Sequence, residues 1–381
     1  MSAMLLDEFG VGDARERDES WRYSKTALRA LSQQDFSAAD AHAALEESLV
    51  ARFDWPLTRG RRLVFVNGGY SGTYSDTGSI AAGIDVRHEG GQRFVLTVAG
   101  DSAEPLHVVY VSVPGAAAAR WQTVADLELL TGRVGVIEQH VGAAGADVLG
   151  TLHSRIAVGP GAGLRLTTLS DLPDSVSLYR RVNTTVARSG ACQFVDAIFG
   201  SRLQRADLNV DLNGEGARFE SRGVFVLRGR QHADTHLDIR HTARDTTCDV
   251  LWRGVADQRA RGVFHGAITV APGADGADAR LSNKNLLLSP HAEIDTQPVL
   301  EIYADEVKAA HGATVGQLDE TALFYLRSRG VPASIARSLL IGGFCREAFA
   351  GIESADVRGW LDTLLAERLP DSHREREEVA G

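Results

Sequence analysis

The sequence predicts a mainly β core between two helical ends, and three observations carry that prediction. From about residue 61 to 305 helical periodicity is absent, and short β-rich segments recur at roughly 10 to 16 residues between glycine-rich turns. After Gly316 the pattern turns helical, with cap and stop residues in place. Before residue 60 the chain is a mixture of loop and alanine-, leucine- and glutamate-rich sequence. The β spacing alone is compatible with a sandwich, a barrel or a stacked solenoid. Matched Asn-Gly hairpins are scarce and a single sandwich would have to hold about 240 residues of strand, which weighs toward the solenoid.

In chain order, Ser37 is a plausible N-cap for a helix in AADAHAALEESLVARF, and LVFVNGGYS at 63 to 71 runs from a short apolar strand into a turn. The β series follows as FVLTV, HVVYVSV, VGVIE, LHSRIAV, LRLTTL, QFVDAIF, DLNVDL, GVFVL, HLDIRH, GVFHGAITV, NLLLS and PVLEIY. Asp319 can cap the helix ETALFYLRSR, with Gly330 at the C′ position and Pro332 beyond it. A second helix, PASIARSLLIGG, follows. A third begins near Ser354, with Val357, Trp360, Leu361, Leu364 and Leu365 forming one stripe. The organisation is a helical region at 1–60, a β core at 61–310, a helical domain at 311–369, and a charged tail at 370–381 that lacks anchoring residues and is expected to be disordered.

Composition narrows the function. The 381 residues, 44% hydrophobic, bury a sizeable core. A net charge of -10 disfavours nucleic acid as a partner. Cys192, Cys248 and Cys345 lie far apart without a CxxC pair, which excludes a disulfide framework and a self-contained zinc or cluster site and fits a reducing compartment. The acidic start and the interrupted apolar run from Val108 to Ala119 predict neither export nor membrane spanning; a cytoplasmic location is expected. No G-x-x-x-x-G-K-S/T occurs, so any ATP must be handled by a partner.

The stretch EIYADEVKAAHGATVGQLDETALFYLRSRG at 301 to 330 closely resembles the signature of the SufD family. So do ESWRYS at 19 to 24, LVFVNGGYS, HADTHLDIRHTARDTTCDVLWRGV at 232 to 255, GVFHGAITV at 262 to 270 and DARLSNKNLLLSPHAEIDTQPVLEIYADEV at 278 to 307. Residues 75 to 220 carry little of it. SufB is the related family, and Gly312 after the histidine and Leu326 after the FY pair favour SufD. The family's usual cysteine two residues before His311 is here Ala309.

The resemblance implies a right-handed parallel β-helix flanked by N- and C-terminal helical parts, and a non-enzymatic scaffold subunit for iron–sulfur cluster assembly. It implies pairing with a SufB-like subunit through β-helix edges and docking of a SufC-like ATPase around Phe324, Tyr325, Arg327 and Arg329 and the helix from Pro332 to Ile341. ATP-driven closure of the ATPase would then move the SufB–SufD interface. His311 becomes a shared ligand to a nascent iron–sulfur cluster, with the remaining ligands supplied by the partner. Flavin binding by the complex, and a homodimer of the isolated chain, stay open.

Each candidate also has a structural reading. His311 on the residues alone is a hydrogen-bonded junction histidine, and Phe324 or Tyr325 can simply pack helices. In HLDIRH, strand geometry puts His236, Asp238 and Arg240 on one face and His241 on the other, which reads as an exposed polar face and not a metal site, as does His232. His265 reads as packed at a strand surface, and the three cysteines as buried, inert thiols. Asp305-Glu306 flanks a strand end and Asp319-Glu320 opens a helix. The competing class is a solitary β-helix carbohydrate-active lyase or hydrolase built on Asp238, Arg240 and His265, which would show a polar cleft and act alone.

Overall fold

The computed structural model describes residues 21–90, 92–352 and 354–369. Successive strands from Leu106–Ser112 to Lys308–Gly316 alternate between two sheets, and each pairs in parallel with the strand two places along the chain. Each sheet has ten strands. Arg133, Gly163, Ala191, Arg218, Thr247, Asp278 and Lys308 stack in one column, so a coil takes between 27 residues (Ala191 to Arg218) and 31 (Thr247 to Asp278). This is a parallel β-solenoid, the architecture that the resemblance implies and that the strand spacing alone left open.

The solenoid forms because alternate residues along the strands, most of them apolar, meet in the lumen. Val136, Leu166, Phe194, Val250 and Leu281 lie in one inward column and are all buried. At about 25 cal/mol per Å² such columns supply most of the driving force, each coil covering the apolar face of the one before it. Close fit inside the lumen dictates some residues. Gly223 is aligned with Trp252, whose indole fills the space a Cβ on Gly223 would need.

The outer faces of both sheets are covered by helices at their apolar parts. Helix α1 (Lys25–Ser32) and Trp21 pack on Leu149, Tyr179 and Leu203 of one sheet. Helix α2 (Glu47–Ala51) with Phe53 packs on Val64, Val109 and Val141 of the other. Helices α3 (Glu320–Ser328), α4 (Ala333–Arg346) and α5 (Ala355–Arg368) follow the last strand, and α4 and α5 lie back along that second sheet. Ile341, Cys345, Phe349, Leu361 and Leu365 there cover Leu169, Val195, Phe199, Val224 and Val255.

The two ends of the solenoid differ. At the first coils, the strands Gly69–Tyr70 and Ile84–Glu89 turn antiparallel to their neighbours and carry Tyr70 and His88 against Phe65. Among the described residues the last coil, made by Glu293–Ile302 and Lys308–Gly316, has no strand beyond it in either sheet order.

Each predicted strand segment falls on a strand, with HVVYVSV, NLLLS and PVLEIY running one or two residues past its end, while Ile84–Glu89, Ala119–Thr131, Val176–Val186, Thr247–Ala256 and Lys308–Gly316 form strands that the sequence reading passed over. Ser37 caps no helix: Ser37–Ala38 pairs with Ala119–Arg120, and the helix is confined to Glu47–Ala51. Backbone pairing to an adjacent strand edge overrode alanine-rich propensity there. The predicted disordered tail at 370–381, and residues 1–20 of the predicted N-terminal region, lie outside the described residues.

Candidate functional site

His311 sits in the final strand, Lys308–Gly316, whose register is fixed by pairing with Asp278–Leu287. It lies opposite Leu281, so its position is the last of the inward column that runs from Leu106 through Val136. Among the described residues no further coil covers it, and the position that is buried in every earlier coil is here exposed. Ala309 likewise ends the column that contains Cys192, Phe219 and Cys248. The open rim thus presents Ala309, His311, Ala313 and Val315 from one strand, and Ile294, Thr296, Pro298 and Leu300 from the other. Gly312 leaves the backbone beside the imidazole accessible, since a Cβ there would meet nothing within 4 Å. Among the described residues no group of three or more His, Cys, Asp or Glu side chains is arranged to hold a metal ion. His311 therefore offers a single nitrogen ligand at an apolar, two-edged rim.

Three residues past the end of that strand, the Asp319 carboxylate accepts bonds from the backbone N–H of Thr321 (2.8 Å) and Ala322 (3.2 Å) and starts α3. At the other end Gly330, at φ +85°, donates to Arg327 and Val331 donates to Leu326, a Schellman closure. Between these caps α3 buries Leu323 and leaves Phe324 72% and Tyr325 56% exposed. Arg329 lies 5.3 Å from the Tyr325 ring centre. Ile335 and Leu339 of α4, one turn apart, are exposed as well, so the α3–α4 hairpin carries four large uncovered apolar side chains.

His232, His236, His241 and His265 are held by contacts within the fold. His236 and Asp238 share one face and His241 the opposite one, as strand alternation requires, but that outer face is not open at His236. Its ring stacks on His265 at 4.8 Å and its Nε2 lies 3.1 Å from Asp234. Asp234 also receives Arg205 (2.8 Å) and the Ser24 hydroxyl, and Ser24 meets His232 at 3.0 Å. Arg205 lies 4.4 Å from the centre of the Trp21 ring. The described part of ESWRYS, residues 21 to 24, is thereby explained: it pins the N-terminal segment to the solenoid. Burial pushes His232 down to about 4. His241 faces the lumen between Thr246 and Cys248 and is also pushed down to about 4 by burial. The three cysteines are buried, and burial raises Cys248 and Cys345 to about 12, as inert thiols should be.

A buried ionic cluster in the lumen escaped the sequence reading. Arg180 bridges Glu138 (2.9 Å) and Asp196 (3.1 Å), and His140 bonds the same oxygen of Glu138. Burial opposes the charge on Glu138, yet Arg180 and His140 together bring it down to about 2; burial leaves Asp196 raised. The one available signal was the pair Arg180-Arg181, of which alternation must turn one inward.

The sequence pattern of the family described as SUF system FeS cluster assembly, SufBD core domain, matches residues 131–344. The chain belongs to this SufBD family. It is 28% identical to a SufBD family protein of Synechocystis over 91% of this chain and 85% of that one. The Escherichia coli iron–sulfur cluster assembly protein SufD is 33% identical over 46% of this chain and 42% of its own length. Bacillus subtilis SufD is 28% identical over 58% and 51%. The family match covers every coil from Thr131 onward, the open rim and the α3–α4 hairpin. The cavities lined by Asp171 and Arg228, and by Arg230 and Arg259, include none of Asp238, Arg240 and His265.

Proposed function

We propose that this chain is a non-enzymatic scaffold subunit of a SUF-type iron–sulfur cluster assembly complex, working in the cytoplasm. Its last coil pairs with a SufB-like subunit, and the α3–α4 hairpin docks a SufC-like ATPase. The observation that carries the reading is the uncovered final coil in a family whose named relatives assemble iron–sulfur clusters. Two free strand edges and a bare apolar rim favour continuation by a second chain, because unpaired backbone and apolar surface are both costly in water. The nascent cluster is cargo, and His311 contributes one nitrogen ligand while the partner contributes thiolates or carboxylates. With alanine at 309, no thiol of this rim strand shares in that site. Exposed Phe324, Tyr325, Ile335 and Leu339 supply the apolar centre of the ATPase contact, with Arg327 and Arg329 at its polar margin.

Co-expression with a SufB-like and a SufC-like protein tests this, comparing wild type with His311→Ala under anaerobic conditions. An intact complex with reduced cluster content is expected of the variant. Unchanged cluster content would remove His311 from the ligand set, and failure of the wild type to join either protein would overturn the whole reading.

A further inference from the structure

Independently of the assembly reading, the corners of three consecutive coils carry arginines that point to an anion site. A groove of about 540 Å³ runs between α1 and the solenoid and is lined by Arg202, Arg230, Arg259 and Arg261, with Tyr23 and His232 on its walls. No Asp or Glu is among the described residues that line it, although the chain as a whole carries a net charge of -10.

Arg202 is engaged by Asp147 (2.5 Å), and Arg261 by both Asp295 (2.9 Å) and Glu293 (3.5 Å). Arg230 and Arg259 are exposed and form no ion pair among the described residues. These two occupy equivalent corners: His232 pairs with Arg261, and the Arg259 amide donates to the Gly229 carbonyl. Consecutive coils are about 4.8 Å apart, so two guanidinium-bearing corners are held side by side by the strand ladder itself. The cost of gathering like charges is therefore already met by folding, which is the condition under which a doubly or triply charged oxyanion binds best. Guanidinium forks match phosphate oxygens in pairs. Tyr23 and the apolar groups of Ala27, Leu31 and Leu203 leave room for an uncharged part of the same ligand.

We infer that this groove binds a small phosphate-bearing anion, with Arg230 and Arg259 as its principal contacts. Calorimetric titration of the full chain with pyrophosphate, ADP and adenosine tests it. Pyrophosphate and ADP should bind and adenosine should not. Tighter ADP than pyrophosphate identifies a nucleotide-like ligand, and equal affinities identify the phosphate group alone. Arg230→Ala combined with Arg259→Ala should weaken binding about tenfold or more, with an unchanged melting temperature. Arg188→Ala, a corner residue outside the groove, should leave binding intact. No binding of either phosphate compound up to about 10 mM, or wild-type binding by the double variant, would overturn the inference.

Discussion

Arg180 shows how a single residue can hold a lumen together. Its guanidinium is 1% exposed between Glu138 and Asp196, so its removal strands two carboxyl groups in an apolar interior. Arg180→Ala should destabilise the fold by about 3–5 kcal/mol, read as a large drop in melting temperature. Replacing Gly223 tests the packing in the same way. A methyl there would press on the Trp252 indole, and Gly223→Ala should cost about 1–3 kcal/mol in the same melting assay. Neither effect was readable in advance. The sequence marks residues 176–186 only as polar and β-branched, and which of Arg180 and Arg181 faces inward depends on a register set by neighbouring coils. The inward or outward sense of His236 and His241, by contrast, was readable from alternation. What alternation could not tell is that Asp234 and the His265 ring hold His236, while Ser24 binds Asp234 and His232 beside it.

The elements of the C-terminal region divide between fixing and presenting. Asp319 and Gly330 were visible as caps because capping is a local property of a few residues, and both form the expected bonds. Asp319→Ala should cost about 1 kcal/mol of stability, since two backbone N–H groups lose their acceptor. Phe324→Asp and Tyr325→Asp should leave the melting temperature near wild type, because both side chains are more than half exposed, yet abolish co-purification with the SufC-like ATPase proposed to dock there. Loss of folding in these variants would show instead that the two rings pack within the chain. That α4 and α5 lie back along a sheet was not visible from their apolar stripes. A stripe states that a face is covered and says nothing of what covers it. The same return brings Trp360 onto Trp55, stacked at 4.6 Å, and Arg368 onto the Asp171 carboxylate that Arg52 also holds, so the two terminal segments meet on one face.

At the level of the whole molecule, stability should fall on mild acidification. Burial holds His107 at about 3 and His232 and His241 at about 4, all below the ordinary 6.5. Protons therefore bind the unfolded chain first. The stability these neutral rings contribute is complete above pH 6.5 and is lost as pH falls from there through 4, at up to about 1.4 kcal/mol per pH unit for each ring. Glu138, held near 2, adds its own loss only below its ordinary 4.5. A melting temperature constant from pH 7 to 4.5 would contradict this.

The solenoid also has a direction, with one end turned antiparallel and filled by aromatic rings and the other left as a bare coil. That polarity is what the proposed role depends on. Light scattering coupled to size-exclusion chromatography, on the chain co-expressed with a SufB-like subunit and a SufC-like ATPase, tests it most directly. The account predicts one species containing all three proteins, which loses the SufB-like subunit when Ile294 and Val315 at the rim are both changed to Asp. Elution of the wild-type chain as a lone monomer beside its two prospective partners would contradict it.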